Sequence, residues 1–243
     1  KPLMHAATQT AQPSLARRVA GQGAMLLASF GLGQGLSLAR NALLSHWLSK
    51  GEFGVAATTL LARQLVEVLS DVGIDRHIVQ SSDGDDERMQ AAAHTMLVAR
   101  GVLTSLVLFA CAHPIAGFFH IPEAAWALQF AALAPLVRGF CHLDNRRFQR
   151  RYDNRAFVVM EVVPQAAALA LMPAALTLLG GYAAVVVVLA VQAVIAWGLS
   201  LAVAERTYRL NLDFAAMRRM LAFGWPIWLA AFPTVAIFLG ERI

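Results

Sequence analysis

The stretch FVVMEVVPQAAALALMPAALTLL at 157–179, the pair Gly180-Gly181, and YAAVVVVLAVQAVIAWGLSLAVA at 182–204 decide the fold. Each run is close to the ~20 residues a helix needs to cross a bilayer. The two glycines between them leave room only for a tight turn, so the pair reads as a membrane-spanning helical hairpin. Working outward, further apolar segments lie at about 19–45, 54–80, 90–112, 123–143 and 222–243. The expected fold is all-α: a polytopic transmembrane helix bundle, with a six-helix N-terminal lobe over 19–204 and a seventh helix over 222–243. Residues 1–18 form a polar tail and 205–221 a basic connection. The apolar run after Arg17 and Arg18 is glycine-broken and too long for a signal peptide.

Composition supports a membrane setting. Hydrophobic residues make up 58% and charged residues 14%, and the mean hydropathy is +0.57. A soluble domain carries about a quarter charged residues, so this chain lacks the polar surface to coat a soluble globule. The net charge of +5 does not point to nucleic acid, because the basic residues lie within or between spans and form no free basic face. Cys111 and Cys141 fall at opposite ends of neighbouring spans, roughly 25 Å or more apart, too far for a disulfide.

Basic residues set the expected orientation. Lys1, Arg17, Arg18 and Arg88, the cluster Arg146, Arg147, Arg150, Arg151 and Arg155, and the set Arg206, Arg209, Arg218 and Arg219 all fall on one side; the opposite connections hold only Lys50. The N-terminus is therefore expected in the cytoplasm, with the acidic run Asp83–Glu87 as the one dissent. The cluster at 146–155 serves this orientation, with contact to anionic lipid headgroups as the sharper reading. The outer connections, Ser49–Phe53, His113–Pro122 and Gly180–Gly181, are short.

Charged residues inside the spans carry the functional reading. Arg40, Arg63, Arg100 and Arg138 occupy four successive spans. Each costs roughly 2.5–3.5 kcal/mol near the bilayer centre, on the order of 10–14 kcal/mol together. Partners or water must offset that cost, which points to a positive cavity in the bundle. Arg63 and Arg100 lie deepest and are the first candidates for an anion site, whereas Arg40 and Arg138 are near enough to span ends to snorkel. Arg63, Glu67 and Asp71 stand four residues apart along one expected helix face, so Arg63 can pair with Glu67. Glu67, Asp71 and Glu161 are candidates for carrying a coupling ion, with structural ion pairing as the plainer role. Gly31, Gly33 and Gly35 permit close helix approach, and Pro135, Pro164, Pro173, Pro226 and Pro233 can kink helices. No metal-ligand spacing, phosphate-binding glycine loop or nucleophile motif is present, and no cofactor is expected.

The stretch Leu48-Ser-Lys-Gly-Glu-Phe-Gly-Val-Ala-Ala, then Leu69-Ser-Asp-Val-Gly-Ile-Asp and Ile78-Val-Gln, resembles the polysaccharide-biosynthesis flippases of the multidrug/oligosaccharidyl-lipid/polysaccharide exporter superfamily. Gly51, Glu52, Phe53 and Gly54 keep the end of the family's first turn, although Ser49-Lys50 replaces its usual leading Gly-Pro; Asp71, Gly73, Ile74, Val79 and Gln80 match the pattern closing its second helix. The segment 146–155 looks like the basic loop of the branch that includes colanic-acid and teichuronic-acid exporters. Phe223-Gly-Trp-Pro, running to Glu241-Arg242, resembles the start of a second half.

The resemblance implies one lobe and one helix of a longer, two-lobed transporter of the bacterial inner membrane. Its implied substrate is an isoprenoid-pyrophosphate-linked oligosaccharide, with membrane lipids, a proton or sodium ion, and a polysaccharide polymerase or export protein as further partners. Guanidinium groups suit pyrophosphate because they stay charged and donate in pairs. A multidrug exporter is the rival reading, although a cationic drug favours an acidic or aromatic cavity. A membrane glycosyltransferase or ligase would be expected to set acidic catalytic residues on a sizeable outer loop, where this chain offers only Glu52 and Glu123. The chain is accordingly expected not to be an enzyme; a purely structural subunit is the remaining alternative.

Overall fold

The computed structural model describes the backbone of residues 15–240 and the side chains of residues 20–233. Of the expected tail at 1–18, residues 1–14 lie outside the described residues, as do the side chains of Arg17 and Arg18 and Glu241-Arg242, while 15–18 open the first helix instead. The described residues are mostly helical, with no strand: α1 (Leu15–Trp47), α2 (Lys50–Leu69), α3 (Ile74–Gln80), α4 (Glu87–Phe118), α5 (Ala125–Ala131), α6 (Leu133–Gly139), α7 (Asp144–Arg150), α8 (Arg155–Leu179), α9 (Gly181–Val203) and α10 (Phe214–Gly240). Helices α4, α8 and α9 are each long and apolar enough to cross a membrane. The bent pairs α2–α3 and Pro122–Gly139 with α7 would raise the number of spans to five.

The α8–α9 hairpin forms as read. Gly180 and Gly181 have φ of 70° and 50°, a left-handed conformation that costs a residue with a Cβ and leaves glycine free. Its inner face packs on α1 and α2 through Leu44, Leu48, Ala56, Met172, Leu176 and Val185. A second apolar cluster gathers Ile78, Met89, Ala93, Leu143 and Met220, binding α3, α4 and α10 together. Between α1 and α2 the turn is shorter than expected. Ser49 caps α2 and Glu52 reaches back to the Ser49 N–H at 3.0 Å, a capping box that starts the helix at Lys50.

Several expected elements differ. The segment 54–80 is two helices bent by 48°, because the chain turns at Gly73, where φ is 65°. Asp71 therefore leaves the helix face it was expected to share with Arg63 and Glu67. The segment 123–143 ends early at Gly139, and the chain bends by 54° into α7. Neither bend falls at a proline; Pro135, Pro164, Pro173, Pro226 and Pro233 all stand within helices. The expected hairpin at 113–122 is mostly helix, since α4 runs through Pro114 to Phe118 and buries Ala112 and Ala116 against Ala125 and Leu128. Helix α10 begins at Phe214, so Arg218 and Arg219 sit on its first turns rather than in the connection. Of the three glycines expected to admit a neighbour, only Gly33 meets one, the Gln165 side chain; Gly31 and Gly35 face open space.

Candidate functional site

Helices α4 and α6 approach backbone to backbone. A Cβ placed on Gly101 would stand 2.8 Å from the Pro135 carbonyl oxygen and 2.9 Å from the Gly139 Cα. One on Gly139 would stand 3.0 Å from the Leu97 carbonyl oxygen. The two backbones touch because neither residue has a side chain. Arg100 and Arg138 immediately precede these glycines, so the crossing sets both guanidinium groups on the wall of one cavity of about 230 Å³. The repeated Arg-Gly dipeptide at 100–101 and 138–139 was the sequence signal for this crossing, and reasoning from single arginines missed it.

Glu67 and Glu161 line the same cavity, as do Asp75 and Arg146, which sequence reasoning had not placed there. Most of these charges are matched. Arg63 donates to Glu67 at 2.6 Å, the expected pair one helical turn apart. Asp71, in the break after α2, accepts from Arg100 at 3.3 Å, lies 3.8 Å from Arg76, and caps the Gly73 N–H at 3.1 Å. Arg146 meets Asp75 at 2.8 Å and lies over the Phe157 ring. Glu161 accepts a hydrogen bond from Gln165 at 2.9 Å.

Among the described residues, Arg138 has no carboxylate partner and Glu161 no cationic one. Arg40 also lacks a carboxylate partner. It stands apart from this cavity, near enough to Arg63 for the two charges to repel. The depth ranking from sequence is thus inverted by pairing: Arg63 and Arg100 are neutralised by partners, while Arg138 and Arg40 are left over. An unpaired guanidinium at membrane depth needs water or an anion.

The basic end of the bundle is built differently. Asp144 is fully buried. It accepts from Arg147 at 2.7 Å, Gln90 at 3.0 Å, and the backbone N–H groups of Glu205 and Arg206 at 2.8 and 2.9 Å. Burial opposes its ionisation, yet these donors together hold the Asp144 carboxyl well below the usual carboxylate range. Arg147 also reaches Glu205 at 2.6 Å. Arg150 donates to the carbonyls of Ile78, Val79 and Ser81, capping the end of α3, and Arg151 pairs with Asp85 at 3.3 Å. The acidic run is consumed here as well, with Asp83 on Arg219 and Glu87 on Arg209. The cluster read as an orientation and headgroup signal is therefore largely turned inward.

Two buried histidines join this end to the cavity. The His94 and His142 rings lie 4.7 Å apart, and His94 stacks on Tyr208 at 4.4 Å. The Leu143 N–H donates to His94 Nε2, which puts the His94 proton on Nδ1, facing the Arg209 carbonyl. Cys111 and Cys141 are free thiols, as their separation implied. Among the described residues, no group of three or more His, Cys, Asp or Glu is placed to hold a metal ion.

An all-helical bundle with three to five membrane-length helices and a charged cavity defines the class: a polytopic membrane protein with a polar interior. A family described as polysaccharide biosynthesis protein matches residues 43–240, and the chain belongs to that family. Membership gives it a role in polysaccharide synthesis or export. No curated protein and no solved structure matches the chain.

Proposed function

We propose that the chain is the N-terminal lobe of a flippase that carries an isoprenoid-pyrophosphate-linked oligosaccharide across the bacterial inner membrane for surface polysaccharide assembly. The observation that carries this reading is Arg138, a cation without a carboxylate partner on the wall of the charged cavity. Arg100 stands across the glycine crossing and becomes a second anion contact once Asp71 releases it. The basic end faces the cytoplasm, the N-terminus with it, and the cavity binds and moves its substrate without chemical turnover. Of the expected ion carriers, Glu67 and Asp71 are spent on arginines. Glu161 is left as the carboxylate available to a proton or sodium ion.

The test is polysaccharide export by the intact protein carrying Arg138→Gln. Export is expected to be abolished with membrane abundance close to wild type. Arg138→Lys is expected to recover only part of it, because a point charge loses the bidentate geometry. Normal export with Arg138→Gln sinks the reading.

A further inference from the structure

The Arg100–Asp71 pair is slack beside its neighbours. Arg63 and Glu67 close to 2.6 Å and Arg146 and Asp75 to 2.8 Å, whereas Arg100 stands 3.3 Å from Asp71. A charge-assisted N–H···O bond ordinarily closes to about 2.7–2.9 Å. Asp71 is also divided between two cations. Its Oδ1 accepts from Arg100 and from the Gly73 N–H, while its Oδ2 lies 3.8 Å from Arg76.

The two cations stand in different places. Arg100 lines the charged cavity with Arg138. Asp71 and Arg76 line two further clefts, one shared with Arg146 and the other with Pro226 and Ile227 of α10. Asp71 therefore holds Arg100 from outside the cavity wall. Among the described residues Arg76 meets no other carboxylate, and its side chain is 57% exposed.

Helix α10 clamps the backbone on both sides of Asp71. A Cβ on Gly224 would collide with the Val72 carbonyl oxygen, and one on Gly73 would stand 2.6 Å from the Ile227 Cδ1. The Trp228 indole N–H donates to the Leu69 carbonyl at 2.6 Å. With Leu69, Val72 and Gly73 held, the movement left at this break is rotation of the Asp71 carboxylate. Little is needed: Oδ1 can keep the Gly73 N–H while Oδ2 closes on Arg76. An oxyanion entering the cavity competes with Asp71 for the Arg100 guanidinium, and a carboxylate that loses its cation is costly unless another takes its place. Arg76 is that second cation.

We propose that Asp71 is the internal counter-ion of the anion site: it neutralises Arg100 when no cargo is bound and passes to Arg76 when a diphosphate takes Arg100. This rests on the reading of the cavity as the site for a lipid-linked diphosphate, and adds the device that keeps its second guanidinium compensated between cargoes.

The test is calorimetric titration of the intact, detergent-solubilised protein with inorganic pyrophosphate. Asp71→Asn keeps an oxygen to cap the Gly73 N–H and removes the competing charge, so it is expected to tighten binding about tenfold, within the usual range of coupling between sites. Arg76→Gln leaves Asp71 no second cation and is expected to weaken binding about fivefold. The double variant is expected to bind like Asp71→Asn, because the effect of Arg76 passes through Asp71; two charges acting independently would add. Arg76 is exposed, so Arg76→Gln is expected to fold whatever Asp71→Asn does, and wild-type affinity in that variant alone overturns the proposal. Weaker or unchanged binding in Asp71→Asn, or additive changes in the double variant, overturns it as well. With binding lost in Arg138→Gln, each of these results leaves the anion site standing. Wild-type affinity in Arg138→Gln, or no pyrophosphate binding by the wild type, would overturn both.

Discussion

The basic end and the charged cavity are both rich in arginine, and they use it in different ways. At the basic end Arg147, Arg150 and Arg151 are committed to carboxylates or helix-end carbonyls of the same chain. In the cavity, where an uncompensated charge costs most, Arg138 is left without a carboxylate. Position along the chain therefore says little about what an arginine does; its partner says nearly everything. The buried Arg147–Asp144 pair holds the fold, whereas Arg138 lines the cavity without a carboxylate.

The sharpest way to break this contrast is at Asp144. Asp144→Asn strips one of the two carboxylates facing Arg147, whose side chain is 4% exposed, and leaves only the more exposed Glu205 to compensate it; breaking a buried pair costs up to about 3–5 kcal/mol. Size-exclusion chromatography in detergent is expected to show most of the folded protein lost. The same depression of the Asp144 carboxyl fixes the sign with pH. Its contribution is complete above the ordinary carboxylate range and fades only as pH falls through its lower folded value. A fully folded Asp144→Asn protein would show that the knot is dispensable.

Next in size is the glycine crossing. Gly101→Val forces α4 and α6 apart and is expected to cost about 1–3 kcal/mol, as overpacking does, read as a lower melting temperature with weakened pyrophosphate binding. An unchanged melting temperature would mean the helices separate freely there.

Glu67→Gln leaves Arg63 uncompensated in a partly exposed setting and is expected to cost about 1–2 kcal/mol. Adding Arg63→Gln is expected to return abundance to near wild type. A stable Glu67→Gln protein that transports without responding to the ion gradient would instead make Glu67 the carrier. The smallest effect belongs to Arg151→Gln, which removes an ion pair whose side chains are 56% and 43% exposed. Such pairs contribute about 0–1 kcal/mol, so abundance and melting temperature are expected to stay at wild type. A large loss there would erase the distinction between buried and exposed pairs at this end.

The helices were legible because long apolar runs and the Gly180-Gly181 turn are local signals. The breaks were not. Val72 and Ile74 continue the apolar run through Gly73, and Phe140 and Cys141 through the second bend, so hydropathy passes over both. The Arg63–Glu67 pair was readable because four residues on a helix fix the geometry. The pairs Arg100–Asp71 and Arg146–Asp75 were not, because their partners are far apart in sequence and meet only through packing. The acidic run that opposed the orientation rule makes sense once Arg151, Arg209 and Arg219 are seen against it.

The touching backbones at Gly101 and Gly139 also bear on how this protein can evolve. A wall made of two bare Cα atoms has no side chain left to trim and no room for one to grow. Its gauge is fixed. On the proposed role, variation in cargo size would then fall to other lining residues, such as Phe157 and Met160 on α8, which can be exchanged without disturbing the crossing. The proposed flippase role thus predicts that differences between cargoes leave their record on that helix, while the Arg-Gly pairs stay still.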